Sequence, residues 1–154
     1  MLNVINVAAY GALGDGLHND TDAFVAACAA LNAQKGGTLF IPPGVYIVGK
    51  QTLAGQTGQG YAWRASDIIK ITACTQPVMI EGNGAVLRAE AGLKFGSFDP
   101  VTGEPLSVSL PYTNVDSRAN AYRMIQLIDN AYGVVVKDLE LDGNLDNLTL
   151  GGYW

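Results

Sequence analysis

The sequence predicts an all-β solenoid built from stacked turns of a parallel β-helix, with one α-helix at its N-terminal end. Two observations carry the solenoid. The stretches IIKITACTQPVMIEG (68–82) and MIQLIDNAYGVVVKD (124–138) share one pattern: an apolar strand of about five residues, a polar corner, then a second apolar strand at the same offset. Ile69, Ile71, Val78 and Ile80 thereby fall opposite Ile125, Leu127, Val134 and Val136, a repeat of roughly 20–25 residues with a long loop between the copies. The corners are rich in Gly, Asn and Asp, while the Asn-Gly signals of two-residue hairpins are too few for an up-and-down barrel.

The elements follow in order. NVINVAAYGA reads as a short strand entering a turn that GDG forces. Asn19 or Asp20 is placed to cap a helix, and Asp22 suits its first turn through the macrodipole. TDAFVAACAALNAQ carries Phe24, Ala27, Cys28 and Leu31 at i, i+3, i+4 and i+7, a stripe of mostly small residues suited to close packing on the end of a sheet stack. Gly36 and Gly37 are expected to stop it. TLFIPPGVYIVG reads as strand, corner and strand, because Pro42 and Pro43 cannot donate to a ladder. Residues 51–66 form a glycine-rich excursion, residues 91–122 a long loop without evident structure, and LELDGN a further strand closed by a turn. The whole is read as one domain over 1–154, with strand and capping helix in 1–37 and the first turns of the solenoid in 38–154.

Composition narrows the partners. With 9 Lys and Arg against 14 Asp and Glu, the net charge of −5 provides no basic face for nucleic acid. An acidic polymer then needs a local cluster of basic groups or a bound cation to receive it. No run of about 18 apolar residues is present to span a membrane. Polar Asn3 and Asn6 interrupt the first segment, so no secretory leader is read there. Cys28 and Cys74 lack metal-ligand spacing and read as two buried small hydrophobes, with a disulfide between them as the alternative.

The stretch INVAAYGALGDGLHNDTDAFVAACAAL…GGTLFIPPGVYIVG resembles the opening of the pectate-lyase-like, right-handed parallel β-helix superfamily. Members begin with a strand, an fGAkGDG-x-x-DDT turn, a capping helix and GGtvyiPpGtY. The match is close from Ile5 to Gly49 and looser through VMIEGNGAVL and VVVKDLELDGN. The resemblance implies that the helix covers the first turn of the solenoid and shields its strand edge. The acids of GDGLHNDTD then serve the fold. Asp15 and Gly16 build the turn, Asn19 or Asp20 caps the helix, and Thr21 and Asp22 fill its first turn. The competing reading is a cation or sugar site at Asp15, Asp20 and Asp22, with calcium as the ion. His18 falls at a position that varies in the family pattern.

Among the enzymes of the superfamily, VKDLELDGNLDN is most similar to alginate C5-epimerase catalytic modules, in which a Tyr, an Asp and a His act on later turns. No counterparts of that set, of the polygalacturonase motifs or of the calcium-and-Arg set of pectate lyases are found, so no catalytic residue is assigned. The resemblance implies the N-terminal piece of an extracellular protein acting on a uronate polymer by lyase, epimerase or hydrolase chemistry, inactive by itself. The alternative is a tailspike or adhesin that holds a glycan. An open solenoid end predicts self-association. Substrate contact is assigned to Lys94, Arg118 and Arg123, which share the long loop with Phe95, Phe98, Tyr112 and Tyr122, because Arg pairs with uronate carboxylates and rings stack on sugars. Asp142, Asn144 and Asp146 of ELDGNLDN are assigned sugar or calcium contact, with corner hydrogen bonding as the bland alternative.

Overall fold

A computed structural model describes residues 3–53, 60–107, 117–119 and 123–152, with backbone only at 60–61 and 117–119. The chain runs β1 (Val4–Asn6), β2 (Asp15–Asn19), α1 (Thr21–Ala33), β3 (Gly37–Phe40), β4 (Val45–Val48), β5 (Gln51–Leu53), β6 (Gly60–Ala65), β7 (Ile69–Thr72) and β8 (Val78–Ala89). It continues through β9 (Lys94–Phe95), β10 (Ser117–Ala119), β11 (Ile125–Ile128), β12 (Val134–Asp142) and β13 (Thr149–Leu150). Among the described residues it is a mostly parallel β-protein with one α-helix, and the chain divides into two compact units.

The first unit comprises Met1–Val48, Asp67–Ala89 and Arg123–Gly143. Its six-stranded sheet is organised on β8. The first half of β8 pairs with β3 (Thr38 with Met79), the second half with β4 (Ile47 with Arg88), and β12 runs parallel along its other edge. β1 and β2 extend the sheet beyond β3 and β4. Ile125 lies beside Ile69, Leu127 beside Ile71, Val134 beside Val78 and Val136 beside Ile80, the same residues that the sequence repeat aligns.

The inward residues Leu39, Ile71, Ile80 and Leu87 are fully buried, as are Phe24 and Leu31 of α1. α1 packs on β1, β3 and β7, and it precedes β3 as β7 precedes β8. Its Asn32 does for β7 what a strand would do. Oδ1 accepts from the Thr72 N–H at 3.0 Å, and Nδ2 donates to the Lys70 carbonyl at 2.9 Å. Asn130 plays a similar part at the next corner, donating to the Ile71 carbonyl and accepting from the Cys74 N–H. These amides satisfy backbone groups that would otherwise be orphaned.

Several expectations need correction. The chain turns out of α1 at Lys35, not at the glycines. Lys35 takes φ 64° and donates to the Asn32 carbonyl, while Gly36 donates to that of Leu31, the Schellman pattern with a lysine at its left-handed position. Asp20 occupies the N-cap position but makes no side-chain bond to the helix. Its carboxylate accepts from the Leu13 and Gly14 N–H groups at 2.8 and 3.2 Å, while Asn19 Oδ1 accepts from the Thr21 N–H. Asp15 and Gly16 belong to β2, with a register shift between Asp15 and Asn19. Gly14 is required on two counts: its φ is +63°, and a Cβ there would lie 2.7 Å from the Tyr46 ring. Both cysteines are free and buried, which removes the disulfide, and burial pushes the Cys28 thiol up to about 12.

The second unit comprises Gly49–Ser66, Glu90–Tyr122 and Asn144–Trp154. The segments read as excursion and loop carry strands. β5 and β6 pair antiparallel, β6 pairs in parallel with β10, and β9 with β13. Ala62 and Phe98 form its small core, with Trp63 packed against them. A turn beyond it is held by Asp99, whose carboxylate accepts from the Val101 and Thr102 N–H groups.

Candidate functional site

On β8, Val78, Ile80, Ala85, Leu87 and Ala89 point inward, and Met79, Glu81, Val86 and Arg88 point outward. Register then places opposite charges side by side on the outward face. Glu81 is opposite Lys137 and Arg88 opposite Asp142. Lys137 Nζ lies 2.6 Å from Glu81 Oε1, and Arg88 Nε donates to Asp142 Oδ2 at 2.7 Å. The hydrogen bond to Glu81 holds the Lys137 ammonium above its ordinary range. Asp142, assigned to sugar contact, is therefore an outward sheet residue paired with an arginine that only the three-dimensional register reveals.

Arg123 sits in a second polar group of this unit. Its Nε donates to Asp67 Oδ1 at 2.7 Å, and Lys70 Nζ stands 3.6 Å from Asp67 Oδ2. The Gln126 amide is oriented so that Nε2 donates to Asp67 Oδ2 and Oε1 accepts from Arg123 Nη1. A uronate carboxylate reaching Arg123 has to compete with Asp67 for the guanidinium.

The other assigned residues lie in the second unit. The Lys94 N–H donates to Gln51 Oε1 at 2.6 Å, and its carbonyl accepts from Gln51 Nε2 at 2.9 Å. Its ammonium donates to the Gly92 carbonyl at 3.0 Å and stands 4.6 Å from the centre of the Trp63 ring. The Thr149 hydroxyl donates to the same carbonyl at 3.4 Å, and the Gly92 N–H donates to the Asn147 carbonyl at 2.7 Å. Lys94 is thus brought to the Asn144–Asn147 turn. There Asn144 takes φ 51° and accepts from Asn147 Nδ2, and Asp146 is exposed. This gathers an indole, an ammonium, amides and a hydroxyl in one part of the second unit, with the indole N–H donating to the Gly103 carbonyl at 3.2 Å.

Arg118 lies in β10 with its side chain outside the described residues, and Tyr112 and Tyr122 lie outside them as well. Phe98 is fully buried, so its ring is core and not a stacking platform. Trp63 and Gln51 escaped the sequence reading because they sit in the glycine-rich stretch. The alternation of YAWRA was the available signal.

The calcium reading of the opening motif does not fit the geometry. Among the described residues no three His, Cys, Asp or Glu side chains converge as a metal donor set. The Asp20 carboxylate is turned to Leu13 and Gly14, and that of Asp15 accepts from the Leu17 and His18 N–H groups and lies 2.6 Å from His18 Nδ1. Those bonds, led by the His18 and Leu17 N–H groups, lower the Asp15 carboxyl from 3.8 to about 2. A depressed folded-state value stabilises above the unfolded value and is lost as pH falls through the folded one. Unfolding melts should therefore show wild type and Asp15→Asn converging between pH 3.8 and about 2, with a constant difference just above that window. A difference that stays constant through the window would show that these bonds do not couple to folding.

The family model described as "Rhamnogalacturonase A/epimerase, pectate lyase-like" matches residues 4–96, more than half of the chain. Two curated relatives come from Azotobacter vinelandii. Mannuronan C5-epimerase AlgE6 is 46% identical over 55 residues, covering 36% of this chain and 6% of that protein. Mannuronan C5-epimerase AlgE1 is 51% identical over 43 residues, covering 28% of this chain and 3% of that one. The solved A-module of AlgE6 superposes with a TM-score of 0.54 at 24% identity, covering 96% of this chain and 31% of the module. The chain thus spans a small part of its curated relatives and about a third of the solved module.

Proposed function

The chain belongs to the rhamnogalacturonase A/epimerase, pectate lyase-like family, and on that premise we propose that it forms the helix-capped first turns of a right-handed parallel β-helix in a polysaccharide-active protein. The polymer is a uronate chain of the mannuronan type, met outside the cell. The observation that carries this reading is the kinship of part of the chain with mannuronan C5-epimerases. The grouping of Trp63, Lys94, Gln51 and Thr149 supports glycan contact in the second unit.

By themselves these residues bind and do not turn over. Removing a C5 proton needs a free base and a cation on the substrate carboxylate. Here Arg88, Arg123 and Lys137 already face carboxylates, and the single histidine, His18, faces Asp15. The test is electrophoresis of the purified chain through gels containing polymannuronate or neutral dextran, with proton NMR of the polymer after incubation. Retardation by polymannuronate alone, weakened in Lys94→Ala, with no guluronate signal, is expected. Appearance of guluronate defeats the inactivity, and equal migration in both gels defeats the uronate reading.

A further inference from the structure

The one Asn-Gly pair of the sequence, Asn83–Gly84, stands in the middle of β8, between the half that pairs with β3 and the half that pairs with β4. Both residues take left-handed backbone, with φ 50° at Asn83 and 80° at Gly84. Asn83 Nδ2 donates to the Ile41 carbonyl and to the Glu81 carbonyl, each at 3.2 Å. The amide thus ties the end of β3 to the bend of β8. The flanks of the bend are held in the ladder. Glu81 lies beside Phe40 and Lys137, Ala85 beside Leu139, and Val86 beside Val45. A Cβ on Gly84 would meet nothing within 4 Å, so the outside of the bend is open.

We propose that Asn83–Gly84 is a self-modification site that the fold holds shut: deamidation waits for the bend to open, and its product no longer fits the bend. Asparagine is a thermolabile residue, and a following glycine leaves the next backbone nitrogen unshielded. The Gly84 nitrogen gives up its proton and bonds to Asn83 Cγ. The Cγ–Nδ2 bond then breaks, and ammonia leaves with the proton. Water opens the resulting cyclic imide at one of its two carbonyls, which leaves aspartate or iso-aspartate in the chain. No other reactant is needed. Ring closure takes Nδ2 away from both carbonyls and swings the Gly84 peptide between flanks that are paired on either side, so the folded bend resists it. Aspartate would set a carboxylate against the two carbonyl oxygens that the amide had served. Iso-aspartate would add a main-chain atom between two registers that must both be kept. Deamidation is therefore a one-way exit from the folded state. It is independent of glycan contact, since Trp63 and Lys94 belong to the second unit.

Peptide mass spectrometry of the 154-residue chain, aged at mildly alkaline pH in buffer and in guanidinium chloride, tests the first half. The peptide holding Asn83 should deamidate at least tenfold faster in denaturant, because the native rate follows the small population of open bends. Thermal melts of Asn83→Asp and Asn83→Gly test the second half. Both variants lose the two amide donations, and glycine accepts the left-handed backbone. Only Asn83→Asp adds a charge facing the carbonyls, so it should melt below Asn83→Gly, and complete failure of Asn83→Asp alone to fold counts on the same side. Asp15–Gly16 and Asp142–Gly143, which are able to close a similar ring, remain in both variants and so cancel. Equal deamidation rates in buffer and denaturant would overturn the proposal. So would Asn83→Asp melting at or above Asn83→Gly.

Discussion

Phe24→Ala is expected to cost about 3–5 kcal/mol, measured as a shift of the urea midpoint at constant slope. Phe24 is fully buried and meets the Tyr46 ring edge-on, with centroids 5.3 Å apart at 87°. Truncation removes the largest apolar side chain that α1 sends into the core, and it leaves a cavity against a ring held in place. Tyr46 cannot swing into that space without giving up the bond from its hydroxyl to the Pro42 carbonyl at 2.9 Å. The same ring lies against Gly14, so the loss also loosens the turn before α1. Phe24→Leu should recover most of the stability, because the cavity shrinks to about a methylene or two. A loss for Phe24→Ala below about 1 kcal/mol would mean that the helix is anchored elsewhere.

Asp20→Ala is expected to cost about 2–4 kcal/mol, more than Asn19→Ala at about 1 kcal/mol. The ranking follows from what each side chain holds. Asn19 satisfies one N–H at the start of the helix, a capping contribution. Asp20 is 3% exposed and ties the Leu13 and Gly14 N–H groups, so its removal leaves two donors without their acceptor beside a buried aromatic. Asp20→Asn keeps one acceptor oxygen and should fall between the two. If Asn19→Ala proves the costlier substitution, the motif acts chiefly by capping the helix through Asn19 and not through the turn that Asp20 holds.

Much of the fold is legible in the sequence because inward residues recur at every second position on both copies of the repeat. Matching Ile69 to Ile125 and Val78 to Val134 is a statement about burial, and burial sets register. The strands of the second unit are not legible in the same way. β9 and β13 have two residues each and β5 has three, too short for alternation to register. Lys35 in a left-handed conformation is likewise invisible, since two glycines stand next to it and advertise the stop. Of the assigned site residues, Lys94 and the Asn144–Asn147 turn do come together, but through the Gly92 backbone, which has no side-chain signature. Asp142 was visible as an acid in a polar turn. Its arginine partner was not, because Arg88 becomes adjacent only after the strands are stacked.

The spacing between paired strands carries an evolutionary consequence. Val78 pairs with Gly37 on one side, 41 residues earlier, and with Val134 on the other, 56 residues later, yet both pairings are parallel and in step. The intervening chain therefore does not set the register. Closing a loop twice as long costs only about 0.6 kcal/mol more. Segments between stacked strands can lengthen, shorten or be exchanged between relatives while the ladder stays fixed. Variation can reshape the excursions, where Trp63 and Lys94 sit, without renegotiating the stability of the sheet.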